Sequence, residues 1–192
     1  MILNLTAEKR TLGKKSDLNN LRKTGFIPAV IYAEGKEGTN VTVPANEFKK
    51  QYKKSIGEIV IFNFNIDGKE VHTVVKEKQI HPLTREVIHV DFLELHPGKE
   101  ISIEIPIKFS GTPTSLKEGG ILEITKRKLH AHCLPKFIPE DFPMDITSLK
   151  IGQTVYCKDV KIDNVKITEP ADLAIVSVHA PRSSEKQEET NE

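Results

Sequence analysis

The sequence of 192 residues predicts a mostly β chain of the α+β class. Three observations carry that reading. Short runs of period-2 alternation recur along the chain, as strands with one buried face require. Asp67-Gly68 sits between two such runs, where a tight hairpin turn prefers that pair. Only residues 13–25 and 44–54 carry helix-like spacing. Together these predict a small N-terminal β-barrel-like domain with short helices, residues 1–95, and a second β-rich domain, residues 96–182. An acidic tail, residues 183–192, is too poor in apolar side chains to fold.

In residues 2–7, Ile2, Leu3, Leu5 and Ala7 alternate with polar positions as a first strand. Residues 13–25 begin with a glycine and two lysines and pass through a short helix. Leu18 and Leu21 face inward there, with Arg22 and Lys23 outside. Gly25 is placed to stop the helix, because glycine accepts the left-handed conformation of such stops. Pro28 then starts a buried apolar strand, Ala29-Val30-Ile31-Tyr32. Residues 34–38 are a turn and 39–43 a strand. Pro44 suits the first turn of a helix over 44–54. Phe48 and Tyr52 lie four apart on one face of it and read as core rather than as a base-stacking platform.

Residues 58–65 form a strongly β-prone strand, 70–80 return from the Asp67-Gly68 turn, 81–86 are a polar loop, and 87–95 close the unit. Closure into a barrel, complete or partial, removes exposed strand edges. Residues 96–100 read as a linker. Residues 101–109 alternate as a strand whose Pro106 suggests an edge or a bulge. A Gly/Pro/Ser/Thr loop, residues 111–120, precedes strands at 120–125 and 127–134. Residues 135–143 are broken by prolines. Strands at 154–160 and 173–180 complete the second domain.

Composition bounds the function. Formal net charge is +1, with 29% charged and 38% hydrophobic residues. That suits a polar-surfaced globular protein and argues against binding nucleic acid by bulk charge. No apolar run approaches the roughly 20 residues needed to span a bilayer, and the N-terminus lacks a signal-peptide pattern. Two cysteines, Cys133 and Cys157, make no disulfide framework and suit a reduced cytoplasm. Charge is unevenly spread. Residues 1–95 hold 15 basic and 12 acidic side chains, whereas the tail is net −3. From Lys9 to Lys23 there are six cations against Asp17 alone. Such a loop is either an anion-binding surface or a solvated face, and any nucleic-acid site is local.

Catalytic signatures are weak. His130 and His132 share one strand face, but Cys133 points away, and a metal site needs three or four ligands. No Walker or Rossmann phosphate loop and no nucleophile elbow occurs. No catalytic residue, metal, cofactor or small-molecule substrate is implied.

Gly13-Lys14, the run Leu21–Tyr32 (LRKTGFIPAVIY), Ile88–Phe92 (IHVDF), Phe109–Pro113 (FSGTP) and Glu118–Leu122 (EGGIL) follow one another in an order that resembles a known family. It is the bacterial large-subunit ribosomal protein of the CTC general-stress type. The resemblance covers nearly the whole chain except the last ten residues or so. It implies a non-catalytic component of the large ribosomal subunit, monomeric off the ribosome, whose N-terminal domain grips the loop E region of 5S rRNA. Carried over residue by residue, it implies RNA contacts at Arg10, Arg22, Tyr32, His89 and Asp91, with Lys14 in the matching basic loop. Asn19 and Asn20 depart from it, since many members carry consecutive arginines there. Two fewer charges weaken nonspecific attraction.

His89 and Asp91 lie two apart in a strand and so share a face, opposite Val90 and Phe92. A carboxylate facing RNA needs a purpose. It can hold Arg10 or Arg22 by charge-assisted hydrogen bonds, or accept from a base amino or imino group. Two rival readings remain: a non-ribosomal RNA- or protein-binding stress protein of the same fold, and a metal-dependent enzyme centred on His130 and His132.

Overall fold

The structure is a computed structural model describing residues 2–33, 38–54, 57–66 and 68–181. It divides into two compact units, residues 1–103 with 133–140 and residues 104–132 with 141–192. The reading of 183–192, and Asp67 and Gly35 within their turns, lie outside the described residues.

In the first unit the strands are β1 (Ile2–Leu5), β2 (Glu8–Lys9), β3 (Phe26–Tyr32), β4 (Thr39–Pro44), β5 (Ile61–Ile66), β6 (Lys69–Ile80) and β7 (Val87–Glu94). Their order in the sheet is β1-β5-β6-β7-β3-β4-β2. The two end strands are halves of one segment, interrupted only at Thr6-Ala7. β1 runs parallel to β5 while β2 runs antiparallel to β4. One short N-terminal segment therefore pairs with both ends of the other five strands and curls the sheet into a barrel, which leaves no long open edge. The sequence reading saw one strand here, because two-residue β2 is too short to show a period.

Alternation fills the interior. Ile27, Ala29 and Ile31 of β3, Val41 and Val43 of β4, Phe62 and Phe64 of β5, and Val90 and Phe92 of β7 form one buried cluster. Helix α2 (Ala45–Lys54) adds Phe48, which is 1% exposed and stacked on half-buried Tyr52. The ring of Phe92 meets those of Phe48, Phe62 and Phe64 edge-on, with centroids 6.1, 5.8 and 4.9 Å away. Buried Thr73 does not disturb this core, since its hydroxyl donates to the Phe62 carbonyl at 3.3 Å. Pro44 ends β4 opposite Phe26 rather than opening α2. The helix begins one residue later because the Ala45 N–H is held by the Gly25 carbonyl at 2.9 Å.

The second unit contains most of β8 (Ile101–Ser110), and β9 (Ile121–Ile124), β11 (Phe142–Asp145), β12 (Thr154–Tyr156), β13 (Val165–Ile167) and β14 (Ala174–His179), with β10 (Lys128–Cys133). They form a four-stranded sheet, β11-β8-β10-β13, and a three-stranded one, β12-β14-β9. Ile107, Leu129, Met144, Ile146, Ile175, Val176 and Val178 are among its core residues. Helix α3 (Thr114–Lys117) lies in the 111–120 loop and, like β13, is too short for a sequence period. β8 is an inner strand, yet β11 joins it only from Ile107 onward. Pro106, which has no N–H to give, thus sits where that flank is unpaired.

Because Phe92 touches three rings at the barrel centre, Phe92→Ala is expected to destabilise the first unit by about 3–5 kcal/mol. Urea unfolding followed by tyrosine fluorescence measures it, and a loss below about 1 kcal/mol would show that the core repacks around the cavity.

Candidate nucleic-acid interface

The basic segment folds around a carboxylate. Helix α1 spans Lys15–Lys23, and Asp17 in its first turn accepts from the Lys14 N–H at 2.8 Å and from the Ser16 hydroxyl at 3.2 Å. A Cβ on Gly13 would lie 2.6 Å from Asp17 Oδ2, so only glycine lets the carboxylate fold back over the helix start. At the other end Gly25 has φ +87° and donates to the Arg22 carbonyl at 3.1 Å, the stop expected of it.

Helix α1 packs against β3 but buries no residue completely. Leu18, Leu21 and Arg22 are half-buried, and their i, i+3, i+4 spacing makes one face. Arg22 therefore belongs to the inner face, against the sequence expectation that put it outside. The reason is a backbone partner that the sequence could not show. Its Nε donates to the Ile88 carbonyl at 3.0 Å, and its Nη1 donates to Asn19 Oδ1 at 3.3 Å.

Arg10 is held in a similar way. Its backbone N–H donates to the Asn40 carbonyl at 3.0 Å, its Nε to the Val41 carbonyl at 3.3 Å, and its Nη2 to Asn40 Oδ1 at 3.2 Å.

Between these arginines lies the outer face of β6, β7, β3 and β4. Side chains opposite one another in paired strands share a face. Glu77 is paired with Asp91, Asp91 with Val30, and Val30 with Asn40. This makes one row across the sheet that ends at the Arg10 anchor. Gln79 is paired with His89 on one side of the row, and Leu93 with Tyr32 on the other. Val90 and Phe92 point inward at 1% and 0% exposure, which leaves His89 and Asp91 on the outer side as their spacing requires. Tyr32, His89 and Asp91 thus come together, with Arg10 and Arg22 tied to neighbouring strands. Lys14 stands apart, exposed at the start of α1.

Asp91 does not hold either arginine. Its Oδ1 is 2.7 Å from His89 Nδ1, a close contact in which the ring nitrogen is not aligned as a hydrogen bond. The arginines have other acceptors, so nothing draws them to the carboxylate. The Tyr32 phenol is pushed above the ordinary tyrosine range by burial first, and then by the negative charges of Asp91 and Glu77. Neutral Tyr32 is accordingly a hydroxyl donor at physiological pH.

Glu77, Gln79 and Asn40 were missed as members of this surface, and Asn19, noted only as a departure from the family's arginines, was not tied to Arg22. Glu77 and Gln79 reach it because β6 slips in register between Val75 and Glu77, which also turns Lys78 inward. Lys78 Nζ is spent on the Tyr52 hydroxyl at 2.8 Å and lies 4.0 Å from that ring's centre.

Among the described residues, the other polar clusters do not assemble a catalytic centre. His130 lies 4.0 Å from Glu104 and 3.8 Å from Glu169, while Cys133 is buried on the opposite side of β10. Among the described residues no three His, Cys, Asp or Glu side chains gather to hold a metal. Ser177 Oγ and Glu123 Oε2 lie 2.9 and 3.1 Å from the same nitrogen, His179 Nε2, so the ring cannot relay a proton between them. Among the described residues no helix is long and apolar enough to cross a membrane.

The Tyr32 assignment is testable by alkaline titration. A raised pKa means stability that is fully present below the unfolded value and lost as pH rises through the folded one, here above pH 10. Ultraviolet titration of Asp91→Asn should show the Tyr32 pKa lowered but still above the ordinary range, because burial is the larger cause. No change would place Asp91 too far away to act on the phenol.

Two family models match the chain: the Ribosomal L25p family over residues 5–92, and the C-terminal domain of ribosomal protein TL5 over residues 100–182. Three curated relatives, each named large ribosomal subunit protein bL25, resemble it along its length. That of Lysinibacillus sphaericus is 37% identical over 185 residues, covering 96% of this chain and 93% of the relative. That of the Wolbachia of Drosophila simulans is 35% identical over 198 residues, covering 100% and 98%. That of Chloroherpeton thalassium is 34% identical over 184 residues, covering 93% and 92%. With both halves matched in order and relatives above 30% identity across its whole length, the chain belongs to the ribosomal L25p family of non-catalytic ribosomal proteins.

Proposed function

We propose that the protein is a structural component of the large ribosomal subunit, at work on the cytoplasmic ribosome, and that it binds 5S rRNA through the outer face of its first unit. It acts without cofactor and is monomeric off the ribosome. The observation that carries this reading is the juxtaposition of Tyr32, His89 and Asp91 on one rigid strand face, with Arg10 and Arg22 fixed at neighbouring strands.

An RNA helix distorted by irregular pairs offers a wide, shallow minor groove with 2′-hydroxyls, base edges and phosphates. A rigid sheet face can lie on such a surface, and the family membership supports the ribosomal setting. In this reading Arg10, Arg22 and exposed Lys14 meet phosphates, while neutral Tyr32 donates to a sugar or base acceptor. Asp91, repelled by phosphate, accepts from a base amino or imino group, which phosphates cannot supply.

A gel shift of the full chain with 5S rRNA, beside a control RNA of equal length, tests the partner. Preference for 5S rRNA at near-physiological salt is expected. Equal affinity for both would favour a non-ribosomal RNA- or protein-binding role. With Arg10, Lys14, Lys15, Arg22 and Lys23 as the main cations, about three to five phosphates are met. The log–log salt slope is then roughly −2 to −4. A slope near −8 would demand a much larger basic surface.

Asp91→Asn tests the direct contact. Loss of a charged hydrogen bond should weaken RNA binding by about 1–3 kcal/mol in a protein that still folds. Tighter binding, the simple electrostatic result of deleting a negative charge, would remove Asp91 from the contact surface.

A further inference from the structure

Arg10 and Arg22 come from different parts of the N-terminal segment, yet they are fixed by the same device. In each, Nε donates to a strand carbonyl, that of Val41 or Ile88, and one terminal nitrogen donates to an asparagine Oδ1, that of Asn40 or Asn19. Two acceptors on one planar fork stop the guanidinium from rotating, so its orientation is set before any partner arrives.

The chemical type of the acceptor matters. A carboxylate would hold an arginine more strongly but would cancel its charge where phosphate must feel it. An amide oxygen fixes the group and leaves the charge intact. A guanidinium has five N–H donors, and two are used on each arginine by the contacts above. Three remain on each for a ligand.

We propose that Asn19 and Asn40 are positioning residues that pre-orient Arg22 and Arg10 for an RNA backbone, each through a neutral hydrogen bond. The proposal rests on the RNA-binding reading above and adds to it two residues and a mechanism.

The test combines binding with a measurement on the free protein. Asn19→Ala and Asn40→Ala should each weaken 5S rRNA binding about 3- to 10-fold, the scale of one ordinary hydrogen bond, because the arginine itself and its strand-carbonyl contact remain. The salt slope should stay unchanged, because no charge is lost. Each effect should vanish when the paired arginine is already alanine, so that Asn19→Ala is silent in Arg22→Ala and Asn40→Ala is silent in Arg10→Ala. Asn19→Asp and Asn40→Asp keep the shape but add a charge, and should lower the magnitude of the salt slope by about 0.7 to 0.9. In RNA-free protein, nitrogen NMR should show faster guanidinium rotation in each alanine variant, with thermal unfolding midpoints unchanged.

Additive losses in the double variants would overturn the proposal, as would unaltered guanidinium rotation. If the unmutated chain does not prefer 5S rRNA but the NMR effect is present, the binding reading fails while the clamp itself stands. If preference is present and coupling absent, only the positioning role fails. Should Asn40→Ala unfold, Asn40→Ser keeps a short acceptor in the strand and is expected to recover part of the affinity.

Discussion

The pairing of one N-terminal segment, which supplies β1 and β2, with both ends of the other five strands of the sheet is the constraint on which the first unit depends. β1 holds β5 and β2 holds β4, with two residues between them. That connection can be made only if the sheet curls, and curling creates an inside that the phenylalanines fill. It also brings the chain out at Arg10 beside Asn40, where the backbone N–H of Arg10 continues the ladder to β4. The basic segment is therefore anchored at its start by the barrel and at its end by Gly25, whose carbonyl holds the first residue of α2. Its cations are presented by a tethered arch.

Closure alone does not make a binding face. The parallel register of β3 with β7, Ala29 opposite Val90, fixes what is neighbour to what on the outside. A slip of β7 by one residue would turn His89 and Asp91 into the phenylalanine core, away from Tyr32 of β3, and expose Val90 and Phe92. The edge-on contacts of Phe92 with three other rings oppose that slip. Core packing and surface chemistry are thus two faces of one register, and the packing energy is what specifies the arrangement of the polar groups.

Much of this was legible in the sequence, for reasons of period. Alternation in residues 87–94 separates Phe92 from Asp91 without any coordinates, and Gly25 announces the end of α1. What escaped has no period. The slip in β6 after Val75 inverts which side Lys78 and Glu77 take, and one irregularity cannot be inferred from alternation on either side of it. Arg22 was put outside because arginines on helices usually are, whereas an acceptor 66 residues away draws it in. Asn40 looked like any polar strand residue until Arg10 was found on its side-chain oxygen. Tertiary hydrogen bonds to backbone carbonyls leave no trace in composition or spacing.

The choice of acceptors explains how a chain with a formal net charge of only +1 can present the cationic site proposed above. In the second unit Lys128 sits 2.6 Å from Glu104, Lys108 3.2 Å from Asp141, and Lys126 3.7 Å from Glu169. Those lysines are neutralised locally and add little to the field beyond a Debye length. Arg10 and Arg22 instead rest on carbonyl and amide oxygens, so their charges stay expressed at the surface. A small number of fixed, uncancelled charges favours a ligand whose phosphates match their positions over one that is merely anionic. In the proposed RNA-binding reading, selectivity for RNA shape follows from orientation, and total charge contributes only the modest salt dependence expected of a few contacts.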